Sequence, residues 1–568
     1  MPESATVTGT RVVTVAAGVY APGHLGELTP YLPFELVDDV LAATGTVQRR
    51  LRELPSRVGV SFVLALALFP QLGYSRVWGK LTAGLAGIAV AHPSEKALRD
   101  LRRRLGPAPL KALFEVVAGP LAWPHTPGVG FGGLRTVAFD GLNSLKAPDT
   151  DRNRGWLGRI CYRMGFAGYP TLRLMALVET GTRGLLGAVL GSAADRDEAS
   201  LARHLLPLLP PGMLLLADRG FDSAAFLRAV DLTGALLFVR VRSTRRPPVL
   251  VHLPDGSYLS CLDGLKVRVI DADLTVTGAD GSQVHDSYRL ITTLRDHRRY
   301  PAGLVTQLYH ERWEIECAYL ALRHTLLNGH VLRSGDRPGL EQEIWALLTL
   351  YQLLRMAMVT AVEARPGTDP DRASFTTAAE AAREQLTAAQ GVCPAGPPDL
   401  LGVIGRAVLA TLLPARRLRY SARKVKCATS RYLNRDDGRP ATPTTIAAID
   451  IAVHTPPLDT RPARARFDRS TPRPTRAPTR RQRVMAIMNA DPGRAWSGRE
   501  LADRLHITPR NLLTHLAEWA RLGFLTHAGT GVYTLTARPP QPETTTPTMI
   551  ERTRAPDMRV ALTSPQMA

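Results

Sequence analysis

Two aspartates and one glutamate are the residues best placed by type and spacing to do chemistry. Asp140 follows the apolar run Thr136-Val-Ala-Phe139 and precedes Gly141. Asp218 follows Met213-Leu-Leu-Leu-Ala217 and precedes Arg219-Gly220. Each run reads as a buried strand that ends by carrying a carboxylate into a turn. In open α/β sheets such residues converge beyond the carboxyl ends of the strands. The third carboxylate, Glu316, lies between Leu304 and Asn328, a stretch without Gly or Pro whose apolar residues recur at helical spacing, which predicts one long helix. Three carboxylates in this order suggest a metal-dependent phosphoryl-transfer site. Mg2+ is a hard cation held by one or two carboxylates plus substrate phosphate oxygens. Two such ions about 3.5–4 Å apart can clamp the attacking and leaving oxygens of an in-line displacement.

On that predicted helix Tyr309 and Arg312 are three residues apart, and Arg312 and Glu316 four, which stacks them on one face. Arg312 would then hold a phosphate oxygen while Glu316 holds the ion. The plainer readings are an ordinary i,i+4 ion pair for Arg312 and Glu316, and turn or cap residues for the aspartates. Between Asp218 and Glu316 the segment Ala235 to Leu294 reads as β, with strands at 236–241, 249–253, 266–270 and 288–293 and Asp-Gly turns at 255–256, 263–264 and 280–281.

The flanking segments point to a polyanionic partner. The formal charge is +21 and the pI about 10.3, values that favour binding to nucleic acid. Residues 416–435 hold eight Lys or Arg and no acid, interleaved with Tyr420 and Tyr432. Here Arg416, Arg417, Arg419, Arg423, Lys424 and Lys426 could track phosphates. Residues 461–483 hold nine Arg against one Asp, with Pro at 462, 472, 474 and 478, and read as an extended linker. Beyond it, Ser497-Gly-Arg-Glu500 is a capping box, Thr508-Pro509 opens a longer helix, and two short strands follow, the layout of a winged helix-turn-helix. Its second helix after the turn would carry Arg510, Asn511, Thr514 and His515 toward DNA or a protein partner. The N-terminal part is helical and rich in Leu and Ala. Val58 to Phe69, its most apolar run, is too short to span a bilayer. Residues 1–20 show no signal peptide, and five cysteines without paired spacing argue against zinc and disulfides and fit a reducing cytosol.

Taken together, these motifs resemble the DDE transposases of the insertion element four family, whose signature is Tyr-x-x-Arg-x-x-x-Glu followed seven residues later by Lys. The chain supplies Tyr309, Arg312, Glu316 and Arg323, the last an Arg in the Lys position. Only seven of its 71 basic residues are Lys. The runs around Asp140 and Asp218, and Glu343 to Arg355 downstream, carry the likeness over roughly residues 24–450. The resemblance implies an α/β fold with an RNase H-like catalytic core, in which Asp140, Asp218 and Glu316 are catalytic and bind Mg2+, with Mn2+ as a substitute. It implies double-stranded DNA as partner, both terminal inverted repeats and target, and a homodimer when DNA is bound, without a membrane. In relatives that cut through a hairpin the signature helix and the β insertion hold a flipped base, which makes Trp313 a candidate stacking residue. The expected segments are an N-terminal tail (1–23), a helical end-binding domain (24–120), the core in two parts (130–234 and 297–365), the β-rich insertion (235–296), a helical and basic extension (366–455), a linker (456–482), the winged helix-turn-helix (483–537) and a tail (538–568). Two other readings stay open: an inactive relic that regulates by binding DNA, and a stand-alone nuclease with the same core.

Overall fold

The computed structural model describes residues 12–14, 20–388 except 51, 86–88, 160, 163–164, 167, 193–194, 196 and 243, then 401–415, 419–420, 424–425, 433–434, 444–457, 480–521 and 525–536. The chain divides into two units, Met1–Asp459 and Thr460–Ala568.

The first unit is organised by the run Met213-Leu-Leu-Leu-Ala217, every residue of which is buried. A strand apolar on both sides belongs at the centre of a sheet covered on both faces. Eight strands and their neighbours make this sheet: β1 (Leu134–Lys146), β2 (Thr171–Glu179), β3 (Leu185–Gly191), β4 (Met213–Ala217), β5 (Leu236–Arg240), β6 (Tyr258–Leu262), β7 (Leu265–Gly278) and β8 (Gln283–Thr292). Their order is β6-β7-β8-β5-β4-β1-β2-β3. Strand β4 runs parallel to both β1 and β5, whereas β1, β2 and β3 are joined antiparallel.

Between β5 and the Glu316 helix, the β-rich reading is realised as a meander of long strands. Asp263 and Gly264, both at positive φ, make the tight turn joining β6 to β7. Two strands are longer than the periodicity predicts, β7 and β8, which pair from Arg268 to Thr277, while the run expected at 249–253 is a two-residue strand, Val251–His252. A ninth strand, β9 (Thr444–His454), pairs antiparallel with the far half of β7, Asp271 facing His454. That strand lies in a segment expected to be helical and basic. Its alternating apolar residues find their partner only through the tertiary fold.

Two apolar cores lie against the two faces of the sheet. One joins Ala138, Leu214, Leu216 and Phe238 to Ile315, Tyr319 and Leu322, to the buried helix Arg337–Glu363, and to the N-terminal helices between Phe34 and Val117. The other joins Val137, Phe139, Leu215 and Ala217 to Leu201, Ala202, Phe226 and Leu227. Arg337–Glu363 is long and apolar enough to cross a membrane, yet 89% of its apolar window is buried in the protein. A buried Arg102 ties the N-terminal helices to it, donating from Nε to Gln342 at 2.9 Å and pairing with Glu343 at 3.2 Å.

His24 anchors the start of the N-terminal helical part. It is 1% exposed, with Nε2 donating to the Leu81 carbonyl at 3.0 Å and Nδ1 accepting from the Gly26 amide at 3.3 Å. Only the neutral ring satisfies both partners. Burial pushes its pKa down to about 4, against the smaller opposing pull of the Leu81 carbonyl. The folded state therefore binds fewer protons than the unfolded one, where the ring titrates near 6.5, and stability is lost as pH falls from that value toward 4. The loss should reach up to about 3 kcal/mol. Urea unfolding across pH should show a stability gap between wild type and His24→Gln that shifts by this amount below pH 6.5 and is flat above pH 7.5.

The second unit has its own core of Val484, Met488, Trp496, Leu501, Leu512, Leu516, Trp519 and Tyr533. Helices Arg480–Asn489, Gly498–Arg504 and Pro509–Arg521 are joined by a sheet of Trp496–Ser497, Val532–Leu535 and Leu525–Gly529, in that order. The Ser497 half of the capping box is formed: Ser497 Oγ accepts from the Glu500 amide at 3.1 Å, while the Glu500 carboxylate pairs with Arg494. Trp496 lies between Arg494 and Arg504, with guanidinium carbons 4.3 and 4.7 Å from its ring centroid.

Candidate active site

The strand registers bring the two aspartates together. The β1–β4 ladder pairs Ala138 with Leu216, so two residues further on Asp140 falls opposite Asp218. The β5–β4 ladder pairs Val239 with Ala217, which sets Arg240 level with Asp218 on its other side. Because side chains alternate along a strand, Asp140, Asp218 and Arg240 share the face of Ala138, Leu216 and Phe238. Asp218 does end its strand: it caps the turn Arg219–Phe221, Oδ1 accepting from the Gly220 amide at 2.7 Å. Asp140 does not. Strand β1 continues to Lys146, with Asp140 paired to Ala176 of β2 and an irregularity between Leu142 and Leu145. Only its parallel partner stops there, so Asp140 stands at the end of one ladder and the middle of another.

The segment carrying Glu316 is helical but not the uniform helix its periodicity predicts. An α-helix (Ala302–Leu308) passes into a 3-10 turn (Tyr309–Arg312), a second α-helix (Trp313–Leu320) and a π-helical turn (Ala321–Leu326). In a 3-10 turn residues i and i+3 eclipse, which lays the Arg312 guanidinium over the Tyr309 ring at 6.0 Å. Arg312 Nη2 also donates to Glu316 Oε1 at 3.2 Å. Two tyrosines fasten this segment to the strand ends: the Tyr309 hydroxyl donates to the Ala217 carbonyl at 3.4 Å and that of Tyr319 to the Asp140 carbonyl at 2.6 Å. Tyr319 is visible in the sequence only as one of the helix's apolar positions. Arg240 packs over Tyr288 at 4.1 Å, and Tyr288 in turn meets Tyr309.

The electrostatics mark one coupled cluster. Burial pushes the Asp140 carboxyl up to about 7, Glu316 and Glu198 push the same way, and Arg312 and the Gly141 amide oppose them. Burial alone would loosen the Arg312 proton, but Tyr309, Glu316, Asp140 and Asp218 hold it more tightly than in an ordinary arginine. Glu198 is a fourth carboxylate with no motif to announce it. Burial raises its pKa, with repulsion from Asp218 adding to it and a hydrogen bond from Asn143 resisting.

Among the described residues, no three Asp, Glu, His or Cys side chains already converge on a point that would hold one ion. The donor set nevertheless fits a hard divalent cation. All donors are oxygens, burial with added repulsion from Glu316 and Glu198 raises the Asp140 carboxyl to about 7, and Mg2+ asks for only one or two carboxylates beside phosphate.

Comparison with known proteins gives the family. Residues 22–115 match the family model described as insertion element 4 transposase N-terminal, and residues 134–353 the transposase DDE domain. The chain belongs to the insertion element 4 family of DDE transposases. The transposase is 29% identical over 416 residues to "Transposase InsG for insertion sequence element IS4" of Escherichia coli strain K12, covering 71% of this chain and 92% of that one. Among solved structures, a piggyBac transposase synaptic complex with hairpin DNA aligns with a TM-score of 0.34 and 11% identity, over 68% of this chain and 84% of that one.

The other expected site residues are placed as follows. Arg323 sits in the π-helical turn, partly exposed. Trp313 opens its helix and Arg510 and Asn511 lie in Pro509–Arg521 of the second unit, but their side chains are outside the described residues. Arg419 and Lys424 fall in two-residue strands with side chains likewise outside. Arg416, Arg417, Arg423 and Lys426 lie outside altogether.

Proposed function

We propose that this insertion-sequence transposase excises and joins element ends by Mg2+-dependent phosphoryl transfer, with Asp140, Asp218 and Glu316 as metal ligands. The observation that carries the reading is the register that sets Asp140 beside Asp218 under the segment bearing Arg312 and Glu316. Bound there, the divalent cation supplies charge stabilisation to the phosphoryl oxygens and to the attacking and leaving oxygens. Arg312, held between Tyr309 and Glu316, is placed to pair with a non-bridging phosphate oxygen, and Arg323, about three turns on, to hold a neighbouring phosphate. Water attacks the phosphodiester at the element end and the 3′-oxygen leaves. The freed 3′-hydroxyl is then the nucleophile on target DNA. No side-chain nucleophile is needed, because positioning and electrostatics supply most of the catalysis in such transfers.

An RNase H-like core is supported by the order β3-β2-β1-β4-β5, three antiparallel strands followed by two parallel ones. A winged helix-turn-helix is supported by the three helices and three-stranded sheet of the second unit. Its helix Pro509–Arg521, with Arg510 and Asn511, would read DNA, while the helices after residue 24 would bind the terminal inverted repeats. The protein acts as a homodimer when two ends are paired, in the bacterial cytoplasm.

The test is a cleavage assay on DNA carrying the gene's native flanks, with Mg2+ or Mn2+. Discrete cuts lost in EDTA and in Glu316→Gln are expected; binding without cutting by the wild type would favour a DNA-binding regulator. In the same assay Arg323→Lys should keep activity within about threefold, while Arg323→Ala should lower it by about 10- to 100-fold, one charge-assisted phosphate contact being worth about 1.5–3 kcal/mol.

A further inference from the structure

We propose that Glu198 is a fourth carboxylate of the active site and a direct ligand of the divalent cation, reaching the strand ends from the face of the sheet opposite Glu316. The proposal rests on the DDE reading above and extends it to a residue outside the signature.

The geometry is built into the glycines that follow the two aspartates. Strand alternation turns Asp140 to the face covered by the Glu316 helix and Gly141 to the other. That other face is covered by the short helix Glu198–Ala202, whose Leu201 and Ala202 pack with Val137, Phe139 and Leu215. The Glu198 carboxylate occupies the space a side chain at 141 would need: a Cβ there would lie 2.6 Å from its Oε1. A Cβ at Gly220 would lie 2.8 Å from Asp218 Oδ1 and 3.9 Å from Glu198 Oε2. Both sites are therefore open for one carboxylate to stand between the two aspartates. Asn143 Nδ2, further along β1, holds it there by donating to Oε1 at 2.9 Å, which leaves Oε2 available to a cation.

Glu198 is attracted by Arg173, yet its side-chain hydrogen bond is to Asn143, and it repels Asp140 and is repelled by Asp218. Crowding these carboxylates is unfavourable; Arg312 faces Asp140 and Asp218, and a bound divalent cation would offset the repulsion for Glu198 as well. A separate observation points to a ligand beside the two aspartates: Arg312 Nε is buried and has no hydrogen-bond partner, and its guanidinium faces Asp140 and Asp218. A phosphate oxygen would satisfy it.

The test uses the full-length protein with Glu198→Gln, Glu198→Asp, Glu316→Gln and Asp218→Asn. Mn2+ binding without DNA is followed by the paramagnetic resonance of the free ion, and cleavage is measured on the native-flank substrate. Glu198→Gln should weaken Mn2+ binding by about tenfold or more and slow cleavage by about 10- to 100-fold, with DNA binding unchanged. Glu198→Asp, which keeps the charge on a shorter arm, should recover part of both. Mn2+ affinity and cleavage in Glu198→Gln equal to wild type, while Glu316→Gln and Asp218→Asn are inactive, would overturn this inference alone. Wild-type cleavage by Glu316→Gln or Asp218→Asn would instead overturn the DDE reading. Should Glu198→Gln fail to fold, wild-type Mn2+ affinity and an unchanged Mg2+ requirement in Glu198→Asp would overturn the proposal.

Discussion

Asp218→Asn should lower single-turnover cleavage of native element ends by about a thousandfold or more, while the protein folds and binds DNA as before. Separation of the two effects is expected from what Asp218 does in the structure. Its structural task is to accept the Gly220 amide through Oδ1, and the amide oxygen of Asn can accept the same bond. Its packing is set by Ala217 and Phe221, both buried and untouched by the change. What Asn cannot supply is the negative charge that Arg312 and Glu198 feel, or an anionic oxygen for a hard cation. DNA affinity should be unchanged or slightly increased, since one negative charge facing the phosphates is removed. A gel-shift titration beside the cleavage assay checks this. Cleavage within tenfold of wild type would show that Asp218 is a turn residue and nothing more.

The largest expected loss of stability is at Arg183, away from the reaction itself. Arg183 sits in the tight turn between β2 and β3 at φ 61°. It is a buried cation facing two buried anions: Nε donates to Glu314 Oε2 at 2.5 Å, and Nη2 pairs with Asp371. The Tyr351 hydroxyl donates to its carbonyl at 2.8 Å, and Arg355 Nε donates to that hydroxyl at 3.0 Å. One residue thus joins the β2–β3 turn, the helix that carries Glu316 and the helix Arg337–Glu363. Arg183→Met should destabilise the first unit by about 3–5 kcal/mol, because both carboxylates are then left buried without their cation. Adding Glu314→Met and Asp371→Leu to the same chain should restore part of that loss, since the apolar triad has no charge of its own to desolvate, while buried Arg355 loses the attraction of Glu314. Denaturant unfolding of the three proteins checks both steps. A loss below about 1 kcal/mol in Arg183→Met would show that water reaches the triad.

The site was legible where a residue's chemistry coincides with a short-range pattern. Met213 to Ala217 reads as a buried strand because it is apolar on both faces, and the Asp that follows can only leave the sheet there. The Tyr309, Arg312 and Glu316 spacing likewise survives the change from α to 3-10 geometry, because both conformations put residues three or four apart on one side. What escaped was decided at long range. Asp140 was expected to end its strand, yet its backbone still has a partner in β2 after β4 has gone. Glu198 lies in a five-residue helix with only an Asp197 cap to mark it, and nothing nearby says that it faces Gly141 across 57 residues of chain. The π-helical turn at Ala321–Leu326 has no composition of its own and follows from how the helix packs. Thr444 to His454 becomes a strand because β7 offers it an edge.

That last pairing has a consequence for synthesis on the ribosome. Strand β7 is complete once residue 278 has emerged, but its partner over Asp271–Gly278 is β9, whose last paired residue is His454. At about 5–20 residues per second, β7 waits roughly 9 to 35 seconds with half of one edge bare. A chain cut short between Glu316 and β9 would carry all three signature carboxylates and a permanently open strand edge. Such fragments, the ordinary products of a frameshift or an early stop, should be lost to aggregation or proteolysis and should not accumulate as partial enzymes.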